Sequence, residues 1–297
     1  MISISLRFLA YFTRTFSSFR GRWRLMRWLG RQDISFKKLG DPLIIKTREG
    51  FKIFVCPSEF IGRHIFIDGS YEHDCVNIFK YRLREGDVVL DIGANIGFFS
   101  LLAAKCVGTS GAVYSYEASS SCINILKKNI SINGYSNISS NQFAITDACE
   151  NIEFHVSNEN NTGLSSIRDI GENKVSTVNV PCINIDSLLD TLPKVRLVKI
   201  DIEGAEYKAL SGMEKLIKRD RPDIIMEVSD SFLKQMGSSA NEVLFLLKTH
   251  KYRLFNISDN SSPSDAATAI DQYNIWAIHS ENYSNENIQC FHNEIFV

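Results

Sequence analysis

Two groups of residues have the types and spacing that chemistry needs. The first is Asp91-Ile92-Gly93-Ala94-Asn95-Ile96-Gly97, directly after the apolar run Val88-Val89-Leu90. Glycines there let the backbone turn tightly and approach a ligand closely, and the following helix offers free N–H groups. The Asp91 carboxylate can hydrogen-bond the cationic end of a ligand and balance its charge. Glu117 closes the next apolar run, 26 residues after Asp91, near where acids in doubly wound folds take ribose hydroxyls. Together the two acids point to a nucleoside-bearing ligand. The alternative is two acids stabilised by helix N-termini. The dinucleotide fingerprint G-x-G-x-x-G fails at Asn95 and Phe98, and no G-x-x-x-x-G-K-[ST] occurs.

The second group is Lys199, Asp201, Glu203 and Glu206. Lys199 and Asp201 are two apart on one strand and so share a face. A Lys inside a buried strand is costly unless paired. Glu203 and Glu206, three apart at a helix start, face the same cleft or complement the helix dipole. Glu227 closes a further strand, and Asp201 with Glu227 is a candidate pair for a divalent cation. Tyr71 and Glu72 precede the core and are candidates to cap the pocket, against a plain turn. His64 and His73 flank that turn as alternative bases. Pro181-Cys182 precedes the Lys199 strand and reads as structural.

The elements that position these groups follow from periodicity. A hairpin is expected over 43–46 and 51–55, and helix with a break at Gly69-Ser70-Tyr71-Glu72 over 60–84. Strands are expected at 88–90, 112–116, 138–145, 197–200 and 223–228, with two extended segments at 151–156 and 177–183. Helices are expected at 119–132, 205–218 and 240–250, and an antiparallel pair at 252–257 and 273–278. Alternating strands and helices predict an α/β fold with a mostly parallel sheet and helices on both faces. Ligands in such sheets bind at the carboxyl ends of the strands.

Composition sets the frame. The 297 residues carry Lys+Arg 33 against Asp+Glu 34, with 44% hydrophobic and 23% charged residues, an ordinary globular balance. The seven cysteines have no C-x-x-C and no zinc spacing, and read as reduced thiols. Asn129 and Asn160 begin glycosylation sequons that chance explains. Residues 1–32 hold seven Arg and no acid, leaving 26 basic against 34 acidic groups beyond them. That acidic body argues against a large nucleic-acid surface. The arm interleaves Phe8, Phe12, Phe16, Trp23 and Trp28 with its arginines. It suits an amphipathic segment lying in a lipid interface. A helix packed on the protein's own body and an Arg- and Ser-rich transit peptide are the rivals.

Asp91 to Gly97 resembles the S-adenosylmethionine-binding motif of class I methyltransferases. With Lys199-Ile200-Asp201-Ile202-Glu203-Gly204-Ala205-Glu206 it is similar to the FkbM family. Gly69-Ser70-Tyr71-Glu72, Asn129 with Asn133-Gly134, Asp186-Ser187-Leu188 and Arg221-Pro222 with Glu227 extend the likeness over about 65–230. Ala118 departs from the Pro usual after the second acid. The resemblance implies a Rossmann-like methyltransferase fold with a seven-stranded sheet. It implies S-adenosylmethionine as cofactor and O-methylation of saccharide or natural-product hydroxyls. Carboxylates at adjacent strand ends are common without a metal, so a divalent cation at Asp201 and Glu227 is not expected.

Carried over, Asp91, Gly93, Asn95 and Gly97 would line the methionine end of the cofactor. Glu117 would take the ribose, and Ala144 and Asp147 would lie near the adenine. Methyl transfer needs an aligned acceptor and a place for its proton. Asp201 is the expected base, with Lys199 tuning it and Glu203 beside it; Tyr71, Glu72, Glu206 and Glu227 are expected toward the acceptor. The expected layout is a basic arm at 1–35, a hairpin and helix segment at 36–84, a methyltransferase domain at 85–280 and a tail at 281–297. The expected partner is a small-molecule or glycan acceptor, lipid-linked if the arm meets a membrane surface, with a cytoplasmic location at that surface. A catalytically inert nucleoside-binding module and a nucleic-acid methyltransferase are the alternatives.

Overall fold

The computed structural model describes residues 2–16, 20–31, 36, 42–148, 151–157, 167, 174–258 and 272–283. The Asn160 sequon and most of the expected tail lie outside them. Two helices, α1 (Ile2–Thr15) and α2 (Arg22–Gly30), precede the hairpin β1 (Leu43–Lys46) and β2 (Lys52–Val55). Helices α3 (Phe60–Asp68) and α4 (His73–Arg82) follow, separated at the expected break. Then come β3 (Val88–Ile92), α5 (Phe98–Val107), β4 (Ala112–Tyr116), α6 (Ser120–Asn133) and β5 (Ile138–Asn141). The chain continues through β6 (Ala144–Ile145), β7 (Asn151–Ser157), β8 (Lys174–Ile183) and β9 (Leu197–Ile200). Helices α7 (Glu206–Ser211) and α8 (Glu214–Asp220), strand β10 (Asp223–Ser229), helices α9 (Asp230–Gln235) and α10 (Ala240–Thr249), and strands β11 (Tyr252–Asn256) and β12 (Gln272–His279) complete it.

The main sheet has seven strands in the order β11-β12-β10-β9-β3-β4-β5. Only β12 runs against the rest. From β3 the chain winds outward through β4 to β5, then returns to the other side of β3 through β9 and β10. The reversal between β3 and β9 opens a crevice at their carboxyl ends. Alternation assigns each strand residue to a face. Leu90, Ile92, Val198, Ile200, Ile224 and Met226 join a core with α7, α8 and α10. Val89, Leu197 and Ile225 join a second core with the hairpin, α3, α4 and α5.

Two expected elements are each split in two. The expected strand 138–145 leaves the main sheet after Asn141. Ala144 and Ile145 pair with Cys182 and Ile183 in a separate three-stranded sheet. The expected helix 205–218 breaks at Gly212, where an added Cβ would lie 2.2 Å from the Thr146 carbonyl oxygen. The carboxylate of Asp186 accepts from Lys215 N and Leu216 N, each at 2.9 Å, and so caps the second helix. The Asp186-Ser187-Leu188 motif is thus a cap.

The Asn129 sequon is also structural. Its side chain is buried, accepts from Phe54 N at 2.6 Å and donates to the Ile96 carbonyl at 2.7 Å. Asn133 accepts from Lys52 N at 2.7 Å and donates to the Lys52 carbonyl at 2.6 Å. One face of α6 therefore ties the hairpin to the glycine turn after β3.

The arm packs and protrudes at once. Leu6, Ala10, Thr13 and Leu29 are buried. Thr13 Oγ1 and Arg14 donate to the carbonyls of Ile67 and Phe66 at the end of α3, and Arg22 pairs with Asp68. The packed-helix reading is right for this inner face. Among the described residues, no helix is long and apolar enough to cross a membrane.

Candidate active site

Register builds the site. Asp91 on β3 stands opposite Ser115 on β4 and Lys199 on β9. In parallel strands these three side chains share one face, so the sheet carries a buried polar row. The Lys199 ammonium lies 2.8 Å from Asp201 Oδ2 and 4.7 Å from the centre of the Phe99 ring. Burial opposes its charge, but Asp201, Glu72 and Asp91 outweigh that and hold its pKa above the ordinary value. Asp91 Oδ2 accepts from Ser100 Oγ, which contacts Ser115 Oγ at 2.7 Å. Asp91 Oδ1 is buried with no protein partner. Burial pushes the Asp91 carboxyl up, while Lys199 and Ser100 oppose the shift.

The glycine turn is held from both sides. Gly93 N and Ala94 N donate to the Tyr116 carbonyl at 2.9 and 3.0 Å. Gly93 has φ +82°, and an added Cβ would lie 1.8 Å from the Asp201 carbonyl oxygen. Only glycine lets this turn meet the Asp201 loop. Asn95 adopts φ +49°, a left-handed conformation that Asn tolerates better than most residues. Its N–H donates to Glu117 Oε2, and Ser119 N donates to Glu117 Oε1, both at 2.7 Å. Burial still pushes the Glu117 carboxyl up to about 7.

A cavity of ≈ 300 Å³ joins these groups. Asp91, Gly93, Asn95, Glu117, Ala144, Lys199, Asp201, Glu203, Glu227, Tyr71 and Glu72 all line it. Gly97, Asp147 and Glu206 lie outside the lining. Gly97 has φ +94° and packs against Leu126 ahead of α5. Asp147 is exposed beyond the strand end. Glu206 turns into its own loop, where Oε1 accepts from Ile202 N at 3.2 Å and Gly204 N at 3.1 Å. His64 and His73 are also outside; His73 pairs with Asp68. Buried Cys182, next to Pro181, pairs in β8 with the lining residue Ala144 but does not itself line the cavity.

At one end of the cavity, carboxylates gather round Lys199. Glu227 Oε1 accepts from Gln272 Nε2 at 2.6 Å. Burial and then Asp201 push the Glu227 carboxyl up to about 8. Burial also raises Glu72, against the pull of Lys199. One oxygen each of Asp201, Glu203 and Glu227 lie within 4.8 Å of one another. That set fits a cation only in part, because Lys199 already neutralises Asp201 and Gln272 already occupies Glu227.

Several lining residues escaped the sequence reading. Phe60, Phe99, Phe143 and Phe232 supply apolar walls, and Gln272 holds Glu227. The pair Phe98-Phe99 after the glycine turn was the available signal, but helical spacing reads it as core. Gln272 lies beyond the motif-bearing stretch.

The cavity fits S-adenosylmethionine by its donor set. Asp91 Oδ1 offers an unused acceptor for an ammonium group. Glu117 has one N–H on each oxygen, leaving acceptor capacity for two vicinal hydroxyls. Phe143, Ala144 and Ile145 give apolar lining for a base.

Residues 91–254 match the family model described as the methyltransferase FkbM domain. Methyltransferase 1 of Beauveria bassiana is 23% identical over 211 residues, 63% of this chain and 82% of that protein. The hexuronic acid methyltransferase AglP of Haloferax volcanii is 26% identical over 152 residues, 50% of this chain and 58% of that one. The solved methyltransferase FkbM from Methylobacillus flagellatus KT aligns at 15% identity with a TM-score of 0.42. That alignment spans 67% of this chain and 44% of the other.

Proposed function

Because the chain belongs to the FkbM methyltransferase family and uses S-adenosylmethionine, we propose that it transfers the methyl group to a hydroxyl of a saccharide, lipid-linked and met at the cytoplasmic membrane face. The observation that carries the reading is the shared cavity: the acceptor groups of Asp91 and Glu117 open into the same space as the Lys199–Asp201 ion pair. The relative described as a hexuronic acid methyltransferase supports a saccharide acceptor.

The bound cofactor supplies a methyl group on a sulfonium, activated for in-line displacement. The chain's own residues do the rest. Asp91 Oδ1 takes the ammonium end, and Glu117 takes the ribose hydroxyls. Gly93 and Asn95 shape the backbone around the methionine end, and Ala144 sits by the adenine. The acceptor hydroxyl lies against Asp201, whose Oδ2 is held by Lys199, leaving Oδ1 to accept the hydroxyl proton as the methyl oxygen bond forms. Burial and Asp201 favour the protonated form of Glu227, and in that form it donates a hydrogen bond to a neighbouring sugar oxygen. Glu203 orients the acceptor from the Asp201 loop. Tyr71 and Glu72 cover the acceptor end.

The test is incubation with labelled S-adenosylmethionine and a panel of neutral and uronic saccharides, free and lipid-linked. The expected product is an O-methyl sugar identified by mass and linkage analysis. Label appearing only on nitrogen, carbon or nucleic acid would overturn the reading.

A further inference from the structure

The arm has a second face that the fold does not use. Among the described residues, nine large hydrophobic side chains are exposed, and five of them are in the arm: Phe8, Tyr11, Phe16, Trp23 and Trp28. Phe8 and Tyr11 are three apart on α1 and form a stripe opposite buried Leu6, Ala10 and Thr13. On α2 the exposed positions are Trp23, Arg24, Arg27 and Trp28, with Arg31 following at the helix end. Arg27 lies 5.4 Å from the centre of the Trp23 ring. Trp23 is 66% exposed and Trp28 50%, so both indoles present apolar surface to the outside. Arg14 and Arg22 point inward and hold the arm on α3. The outward arginines have no acidic neighbour within residues 1–32.

Position adds a second observation. Arg63 of α3 donates to the Gly30 carbonyl at 3.4 Å, placing the end of α2 beside the first turns of α3. That helix begins with Phe60, which is 53% exposed and lines the cavity. Nine residues of helix span roughly 13 Å, so both ends of α3 bear the arm close to the cavity mouth.

We propose that the outer face of α1 and α2 docks on an anionic lipid bilayer surface. Trp23, Trp28, Phe8 and Tyr11 enter the interfacial layer, and Arg24, Arg27 and Arg31 meet the headgroups. Aromatic rings at the depth of headgroups and arginines among them are the pattern that such interfaces favour. The acidic body is repelled by the same surface, which fixes the orientation with the arm down. The docked enzyme presents the mouth beside Phe60 to the bilayer, where a lipid-linked acceptor would be. Only this last step rests on the methyltransferase reading.

The test is flotation of the full chain with phosphatidylglycerol vesicles and with pure phosphatidylcholine vesicles, together with tryptophan emission. The chain has 3 Trp, and Trp276 is buried, so a blue shift reports Trp23 and Trp28. Binding to anionic vesicles, a blue shift and loss of binding at high salt are expected. Arg24→Gln with Arg27→Gln and Arg31→Gln should weaken binding at least about tenfold. Trp23→Ala with Trp28→Ala should weaken it comparably. Both variants should keep the melting temperature and the S-adenosylmethionine affinity of the wild type. Absence of vesicle binding by a chain that binds S-adenosylmethionine would overturn the docking proposal alone. Binding to a homopolymeric RNA but not to vesicles would assign the face to nucleic acid instead.

Discussion

Glu206 is a carboxylate buried for structure beside Asp201. Its Oε1 closes the Asp201 loop through two backbone N–H groups, and burial pushes its carboxyl up to about 7 from an ordinary 4.5. The folded state therefore holds the proton more tightly than the unfolded chain. The associated stability is full below about 4.5 and is lost as pH rises through about 7. Glu117, at about 7, and Glu227, at about 8, act in the same sense. Wild-type melting temperature should fall by several degrees between mildly acidic and mildly alkaline buffer. Glu206→Gln keeps an acceptor oxygen for the loop and should flatten that slope in a calorimetric pH series. An unchanged slope would count against the assignment. The sequence alone left Glu206 between cleft and cap; the choice depends on where a loop turns, which spacing does not specify. Asp91 and Lys199 are 108 positions apart, and their juxtaposition is a matter of strand register. Each could be singled out from its own motif, but their pairing across the sheet could not.

At the level of elements, Asn129 is a junction. Its amide joins β2 to α6 and α6 to the glycine turn through Phe54 N and the Ile96 carbonyl. Asn129→Ala orphans both backbone groups, at about 1–3 kcal/mol each. The expected loss is about ten degrees in melting temperature, with weaker S-adenosylmethionine binding because Ile96 belongs to the turn. Scanning calorimetry with and without the cofactor checks both effects. A variant as stable as the wild type would contradict this linkage. Strands such as Ala112–Tyr116 and Leu197–Ile200 were legible because each is a short, mostly apolar run inside a parallel sheet, interrupted only by Ser115 in one and Lys199 in the other. The break after Asn141 and the break at Gly212 were hidden, since each is imposed by a partner distant in sequence: β8 in one case and the Thr146 carbonyl in the other.

Across the whole molecule the sheet separates two kinds of buried charge. The site lies at the carboxyl ends of the strands. Asp223 begins β10 at the opposite end, where it is held by both Arg82 guanidinium contacts and by Trp276 Nε1 at 3.3 Å. Both members of this pair are buried. Arg82→Met would strand the Asp223 charge at about 3–5 kcal/mol, roughly ten degrees or more of melting temperature. Adding Asp223→Leu should recover part of that loss. S-adenosylmethionine affinity of the folded fraction should stay unchanged in both. An affinity change as large as the stability change would deny the separation. The arm could be read from sequence only as amphipathic; that it has both an inner packed face and an outer bare one depends on α3, whose last residues receive Thr13, Arg14 and Arg22.

If one cavity holds a cofactor end built on Asp91 and Glu117 and a transfer end built on Lys199 and Asp201, the two ends should fail separately. Calorimetric titration with S-adenosylmethionine of wild type, Asp91→Ala and Asp201→Ala tests it most directly. Binding by wild type is expected, retained within a few-fold in Asp201→Ala and lost by at least about a hundredfold in Asp91→Ala, where a charge-assisted bond to the ammonium is removed. Asp201→Ala should then bind cofactor yet transfer methyl about 10²–10⁴-fold more slowly. No binding by folded wild type, or equal losses in the two variants, would overturn this division of the cavity.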